Sequence, residues 1–157
     1  MKNAMCEIEP NQPHSLLIRE LNLTGMPSRR KLKGSSFEFY LDDRQFYYLK
    51  LYDGEEFTVE NLNEIRTYIQ SDYAEQELPF LIELAYGTTV DGDVQEHLAT
   101  ATNRYSKADA ILISTFAHKL LTKFYKRHYK PSKPTRVFQD VFDALEWIDS
   151  QNQIATS

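Results

Sequence analysis

Apolar and polar residues alternate over one early stretch of the chain, and this is the period of a half-buried β-strand. Phe37, Phe39 and Leu41 occupy every second position, and an aromatic-rich run follows at residues 45–52. The polar residues 42–44 between the two runs are typical of a tight turn. The pattern therefore predicts a β-hairpin that begins near residue 36.

The period changes to that of a helix at Thr58, which is placed to act as an N-cap. The apolar residues that recur at helical spacing are Val59, Leu62, Ile65 and Ile69. After Pro79, residues 80–85 form an apolar run that is interrupted only by Glu83. Such a run is typical of a buried strand in a parallel sheet.

The second half of the chain continues the alternation of strands and helices. A short helix carries Val94, Leu98 and Ala101, and the apolar residues 108–113 predict another buried strand. Ser114 or Thr115 is placed to cap the long helix that follows. The residues predicted to form the buried face of this long helix are Phe116, Leu120, Leu121 and Phe124.

The last elements follow two prolines. Pro131 and Pro134 end the long helix, because proline lacks the amide proton that a helix needs. Residues 135–138 predict a short strand, and Asp140 is placed to cap a final helix. Leu145 and Ile148 are expected to face the core of the protein, with Trp147 at its edge.

The order of elements predicts an α/β fold. The sheet is expected to be mixed and largely parallel, opened by the hairpin, with about four helices. Residues 36–150 are predicted to form a single domain, and residues 151–157 a C-terminal tail. Residues 1–35 contain most of the early prolines and glycines, and we expect them to be a partly disordered extension.

Composition narrows the class of protein. The chain has 157 residues, of which 41% are hydrophobic and 26% charged, as is usual for one globular domain. Neither an apolar run long enough to span a membrane nor a secretory signal is visible. Cys6 is the only cysteine, which excludes an intramolecular disulfide and cysteine-rich zinc sites. We therefore expect a cytoplasmic protein.

The usual catalytic and cofactor motifs are missing from the sequence. It contains no glycine-rich phosphate loop, no dinucleotide fingerprint and no nucleophile elbow. No two of its four histidines have the spacing of four that would place metal ligands on one helix face. We expect a protein that is not an enzyme and has no metal or cofactor.

Glu83 is the first candidate functional residue, because it interrupts an apolar strand. A buried carboxylate is costly unless it has a partner. One interpretation is a structural carboxylate near the end of the strand. The other is a ligand-binding carboxylate, since ligands bind beyond the carboxyl ends of parallel strands.

Charge is distributed unevenly along the chain. The net charge is −5, yet residues 110–139 contain no acidic residue and carry +7, which leaves −12 for the rest. The candidate basic surface consists of Lys119, Lys123, Lys126, Arg127, Lys130 and Arg136. Such a stripe is commonly a solvated face, but it can also contact an acidic partner or an anionic membrane. Overall acidity disfavours nucleic acid as the partner.

The C-terminal part of the chain carries a family resemblance. Residues 134–140 (PTRVFQD) and 144–148 (ALEWI) resemble the corresponding strand and helix of small bacterial STAS-like domains. The wider family includes the anti-sigma-factor antagonists of bacterial regulation. The resemblance extends from about Phe37 to Trp147 and implies a STAS-like fold and a regulatory role.

The regulatory STAS proteins carry a serine phosphoacceptor in the loop after a central strand. The resemblance places Glu83 at an aspartate position of that strand and Asp91 at an aspartate position of the loop. Gly92 occupies the acceptor position and has no hydroxyl group, and Asp93 follows it. The resemblance therefore implies a protein without the serine switch, unless Thr88 or Thr89 accepts the phosphate.

Three functions remain open at this point. The leading hypothesis is a non-enzymatic regulatory module that binds a protein through the candidate loop. The residues of that loop are Glu83, Thr88, Thr89, Asp91, Gly92 and Asp93. The alternative is binding of a lipid or another small apolar ligand in an aromatic-lined pocket. A third hypothesis is an enzyme that uses Glu83, Asp91 and Arg136. A homodimer that covers an exposed edge strand is also compatible with the sequence.

Overall fold

The computed structural model describes residues 31–72, 77–100 and 106–155. The strands in these ranges are β1 (Leu32–Lys33), β2 (Phe37–Asp42), β3 (Phe46–Leu51), β4 (Glu56–Phe57), β5 (Leu78–Leu84), β6 (Thr89–Val90), β7 (Ser106–Leu112) and β8 (Thr135–Phe138). The helices are α1 (Val59–Asp72), α2 (Gly92–Ala99), α3 (Phe116–Tyr129) and α4 (Val141–Ala155). None of these helices is long and apolar enough to cross a bilayer.

The hairpin of β2 and β3 forms the antiparallel part of the main sheet. The two strands pair from Phe37 with Leu51 to Asp42 with Phe46. In the tight turn between them, the amide of Gln45 donates to the carbonyl oxygen of Asp42 at 2.9 Å. The strand β1 adds a short antiparallel edge next to β2. The hairpin therefore has the predicted position.

The rest of the main sheet is parallel. Its six described strands lie in the order β1-β2-β3-β5-β7-β8, and the pairs β3–β5, β5–β7 and β7–β8 are parallel. The register of β5 shifts between Leu78 and Phe80, where Pro79 cannot donate a backbone hydrogen bond. A separate two-stranded sheet joins β4 to β6.

Side chains of the sheet alternate between two hydrophobic clusters. Phe39, Leu49 and Ile82 belong to the larger cluster, which also contains residues of α1, α2 and α3. Their neighbours in sequence, such as Tyr48 and Leu81, belong to a smaller cluster beneath α4. The strand period of two therefore divides the core into two faces, one under three of the described helices and the other under the remaining one.

The predicted fold class is confirmed: the structure is an α/β fold with four helices in its described part and a largely parallel sheet opened by a hairpin. The predicted order of elements is also confirmed. The short strands β1, β4 and β6 were not predicted, and α4 continues past residue 150 to Ala155. Residues 1–30 and Ala101 lie outside the described residues, so the prediction for the extension is not tested.

Candidate functional site

The loop between β5 and α2 carries most of the residues that the sequence assigns to partner binding. Thr88 lies at its base and is only 5% exposed. Its hydroxyl donates to the carbonyl oxygen of Tyr52 at 2.7 Å, and the carbonyl oxygen of Leu51 lies at 3.3 Å. Thr88 therefore fastens the loop to the end of β3. In the folded protein it is accessible neither to a partner nor to a kinase.

Glu83 is separated from this loop by the sheet. It is buried on the α4 side, because it alternates along β5 with Ile82 and Leu84 of the opposite cluster. Its carboxylate accepts a hydrogen bond from the hydroxyl of Tyr48, and Lys50 lies next to it in the register of the sheet. These contacts favour the structural interpretation of Glu83 over a role in the loop.

The remaining loop residues reach the surface to different extents. Thr89 is exposed on β6, opposite Glu56 of β4. Asp91 is the N-cap of α2, and its carboxylate accepts a hydrogen bond from the amide of Asp93 at 3.2 Å. Gly92 and Asp93 are exposed in the first turn of α2. A partner can therefore contact Thr89, Gly92 and Asp93 without any opening of the fold.

Gly92 is not required by the backbone. It does not have the positive φ of Gly54 and Gly87. A Cβ atom added to it would lie 3.6 Å from the hydroxyl oxygen of Tyr129, which is an ordinary van der Waals distance. A serine would fit at this position, so packing does not explain the missing hydroxyl group.

The orientation of α3 differs from the prediction. Phe116, Leu120 and Phe124 were predicted to face the core, but they are 73%, 53% and 52% exposed. Leu121, the fourth residue of the predicted face, is half-buried and lines a cavity next to the sheet. The buried residues of the helix are His118, Thr122 and Tyr125. The prediction was wrong because apolar spacing alone was used to choose the buried face. The structure rotates α3 so that a face of mixed polarity packs inward.

The basic residues of α3 lie beside the exposed apolar row. Lys119, Lys123, Lys126, Arg127 and Lys130 are all exposed, and none makes an ion pair with a described carboxylate. Lys119, Lys123 and Arg127 repeat every four residues, as do Phe116, Leu120 and Phe124. The outward face of α3 therefore presents an apolar row and a basic row side by side.

The inward face of α3 contacts the candidate loop. Nε2 of His118 lies 3.4 Å from the carbonyl oxygen of Thr88. Burial lowers the pKa of His118, and this hydrogen bond only partly opposes the effect. The imidazole is therefore neutral near pH 7 and serves as an internal donor. Tyr129 packs near Gly92, so α3 and the loop form one continuous surface.

A buried ion pair lies beneath α2 and α3. Nζ of Lys133 is 3.3 Å from Oδ2 of Asp109, and it also donates to the carbonyl oxygen of Leu98 at 2.8 Å. Burial raises the pKa of Asp109, while Lys133 and the hydroxyl of Ser106 lower it. Burial and the nearby Asp109 carboxylate both raise the pKa of Tyr125. These groups connect the loop after α3 to the end of α2.

A small cavity lies between the sheet and α3. Its volume is about 50 Å³, and its walls are mainly aliphatic side chains such as Leu49, Ile82 and Ile111. The hydroxyl of Tyr125 and Oε1 of Gln95 are buried at its edge without a hydrogen-bond partner among the described residues. An apolar cavity that holds one benzene molecule has about 150 Å³. This cavity is therefore too small for a lipid chain.

Arg136 is part of the predicted basic surface but does not lie on α3. It is exposed on β8, where its guanidinium lies 5.2 Å from the ring centre of Phe138. Two residues of the enzyme hypothesis are separated by the sheet, because Glu83 lies on its α4 side while Asp91 caps α2 on the other side. Within the described ranges, no group of three or more His, Cys, Asp or Glu residues could hold a metal ion.

Three comparisons place the chain among known proteins. Residues 39–152 match the model of a family described as a domain of unknown function, DUF7793. No functionally curated protein matches the chain. A solved structure from Shewanella loihica PV-4 is similar to it, an uncharacterised protein from the DUF3478 family with a SpoIIAA-like fold. The identity is 18%, the TM-score is 0.50, and the match covers 79% of this chain and 99% of that one.

Because the family model covers most of its length, the chain belongs to the DUF7793 family. The similarity in structure supports a SpoIIAA-like fold, which agrees with the STAS-like fold inferred from residues 134–148.

Proposed function

We propose that this member of the DUF7793 family is a non-enzymatic regulatory module that acts by binding another protein. The observation that carries the proposal is the orientation of α3, which exposes Phe116, Leu120 and Phe124 together in one row. In this proposal the outward face of α3 is the main contact surface. The exposed residue Thr89 of the adjacent loop extends it.

Physical chemistry favours a binding role for this row. Burial of one large apolar side chain stabilises a protein by about 1.5–3 kcal/mol. In α3 the fold leaves three large apolar side chains exposed, namely Phe116, Leu120 and Phe124. It buries His118, Thr122 and Tyr125 instead. Contiguous exposed apolar residues commonly mark an interaction site, and local departures from good packing concentrate at functional sites.

The same contacts argue against a phosphorylation switch in the loop. Gly92 has no hydroxyl group, and the hydroxyl of Thr88 is buried in hydrogen bonds to β3. Of the candidate acceptors in the loop, only Thr89 is exposed. Binding through the fixed surface of α3 does not require a switch.

Site-specific photocrosslinking in the native host tests the proposal. A photoreactive phenylalanine analogue is introduced at Phe116 or Phe124, and at Phe142 as the control. Phe142 is a matched residue on α4 that is 52% exposed, as is Phe124. We expect one discrete protein to be crosslinked from the two α3 positions and not from Phe142.

Two results would contradict the proposal. Crosslinks of equal yield from Phe116, Phe124 and Phe142 would indicate non-specific collisions. Crosslinks to lipid alone would identify a membrane contact instead of a protein partner. The variant Thr89→Trp tests the contribution of the loop: if the loop extends the surface, this much larger side chain lowers the crosslink yield from Phe124.

A further inference from the structure

We infer that the element which docks on α3 is an amphipathic helix whose apolar row is flanked by Asp and Glu residues. This inference rests on the proposed function and adds the chemistry of the partner. Its basis is the juxtaposition of the apolar row Phe116, Leu120 and Phe124 with the basic row Lys119, Lys123 and Arg127.

The spacing of both rows favours a helical partner. Residues four apart form the ridges that interlock when two helices pack against each other. The ring of Phe124 stacks on His128 at 4.9 Å, so His128 extends the apolar ridge by one further turn. The helix has 14 residues and a length of about 21 Å, enough for three turns of a partner helix to contact it.

Charge determines the flanks of that partner helix. The exposed side of α3 carries five cations and no carboxylate, and none of the five makes an ion pair with a described carboxylate. Cations in this arrangement attract an acidic partner and repel a basic one. An apolar ridge with acidic residues on one side matches both rows of α3 at once.

Other occupants fit this surface less well. A second copy that contacts α3 through its own α3 would bring the two basic rows together. Residues 1–30 carry a net charge of +1 and precede β1, which lies at the opposite edge of the main sheet from β8. They offer no charge complementarity to the basic row.

An anionic bilayer is the strongest competing occupant, because interfacial helices combine apolar residues with cations. A bilayer is a broad plane, however, and the rest of the chain carries −12. Asp93 and Glu96 are exposed on α2, which packs against α3. A flat anionic surface would approach these carboxylates, whereas a single helix can lie on α3 alone.

The test uses the protein that is crosslinked from Phe124. Its affinity for the purified full-length chain is compared with that of the charge-reversed variant Lys119→Glu/Lys123→Glu/Arg127→Glu. The control is Lys33→Glu, a change to an exposed lysine on β1. We expect at least a tenfold loss of affinity in the triple variant and little change in the control. Added salt should also weaken binding to the unmodified chain.

The decisive measurement is rescue by charge reversal. Asp and Glu residues of the crosslinked segment are changed to Lys. We expect this partner variant to bind the triple variant more tightly than it binds the unmodified chain. A crosslinked segment without acidic residues, or a triple variant with unchanged affinity, would overturn the inference and leave the interaction module intact. If no protein is crosslinked, the proposed function itself fails.

A vesicle experiment distinguishes the bilayer. Vesicles of phosphatidylglycerol and phosphatidylcholine are floated with the full-length chain, and we expect the chain to remain unbound. Flotation that is lost in the triple variant would assign the basic row to lipid and overturn the inference.

Discussion

At the scale of single residues, Thr88 and Thr89 are adjacent but have opposite environments. The hydroxyl of Thr88 is buried and holds the loop to the carbonyl oxygens of β3, whereas Thr89 is exposed on β6. A hydroxyl that satisfies a buried carbonyl contributes to the stability of the fold, while an exposed hydroxyl exchanges its hydrogen bonds with water. The two threonines therefore have separate roles, one in the fold and one at the surface.

Replacement of each threonine by valine separates these roles. We expect Thr88→Val to lower the free energy of unfolding by about 1 kcal/mol, because Tyr52 loses its hydroxyl donor. Thr89→Val should change it by less than about 0.5 kcal/mol. Urea denaturation of both variants measures the difference. Equal effects at the two positions would contradict the assignment of Thr88 as the anchor of the loop.

The buried ion pair between Lys133 and Asp109 is the second feature at the scale of single residues. We expect Lys133→Met to lower the free energy of unfolding by about 3–5 kcal/mol near pH 7, because it leaves a buried carboxylate without its cation. The control is Lys126→Met, since Lys126 is an exposed lysine of α3. Urea denaturation measures both, and the control should lie within about 0.5 kcal/mol of the unmodified protein.

The pH dependence of the same variant follows from the pKa of Asp109. Burial raises this pKa above 3.8, so the folded state binds the proton more tightly than the unfolded state. The corresponding stability is present at low pH and is lost as the pH rises through the raised pKa. Without Lys133 the pKa rises further, so Lys133→Met should lose more stability than the unmodified protein as the pH rises above 3.8. A smaller loss in the variant would contradict this account.

At the scale of elements, different residues of α3 determine where the helix begins, where it ends and which of its faces is buried. The hydroxyl of Thr115 accepts a hydrogen bond from the amide of His118 at 3.1 Å, which identifies Thr115 as the N-cap. Lys130 follows the last residue of the helix in a left-handed conformation. These contacts define where α3 begins and ends, while the packing of His118, Thr122 and Tyr125 defines its rotation.

The N-cap can be tested against its neighbour in the sequence. We expect Thr115→Ala to lower the free energy of unfolding by about 1 kcal/mol, because the amide of His118 loses its acceptor. Ser114→Ala should have an effect below about 0.5 kcal/mol, since Ser114 is exposed and makes no cap. Thermal or urea denaturation measures both variants. A larger effect of Ser114→Ala would show that Ser114, and not Thr115, caps the helix.

At the scale of the whole molecule, the two faces of the sheet are covered unequally. Of the described helices, three lie on one face, while α4 covers the smaller cluster on the other. Val141, Ala144 and Ile148 of α4 are fully or almost fully buried against β5 and β7. The stability of this half of the core therefore depends on one helix.

Two isoleucines of α4 test this dependence. We expect Ile148→Ala to lower the free energy of unfolding by about 2–5 kcal/mol, because it leaves a cavity under the only described helix on this face. Ile154→Ala should have an effect within about 0.5 kcal/mol, since Ile154 is largely exposed. Urea denaturation compares the two, and equal effects would show that α4 does not hold the smaller cluster.

The sequence by itself determined the elements and their order. Alternation over residues 37–51, helical spacing after Thr58 and the apolar runs of β5 and β7 are local patterns, and each matched the observed element. Short elements left no such pattern: β1, β4 and β6 have two residues each and exist only because they pair with strands elsewhere in the chain. Pairing over a distance is a tertiary property.

Only the tertiary structure decided which face of α3 is buried. The helix has an apolar row at Phe116, Leu120 and Phe124 and a mixed row at His118, Thr122 and Tyr125, and spacing alone favours the first. The loop supplies the carbonyl oxygen of Thr88 as a hydrogen-bond acceptor for His118, so the mixed row packs inward. The local pattern sets the period of a helix, but its rotation depends on partners that are distant in the sequence. For this reason the sequence located the basic residues and the apolar row beside them, but it could not show that this apolar row is exposed.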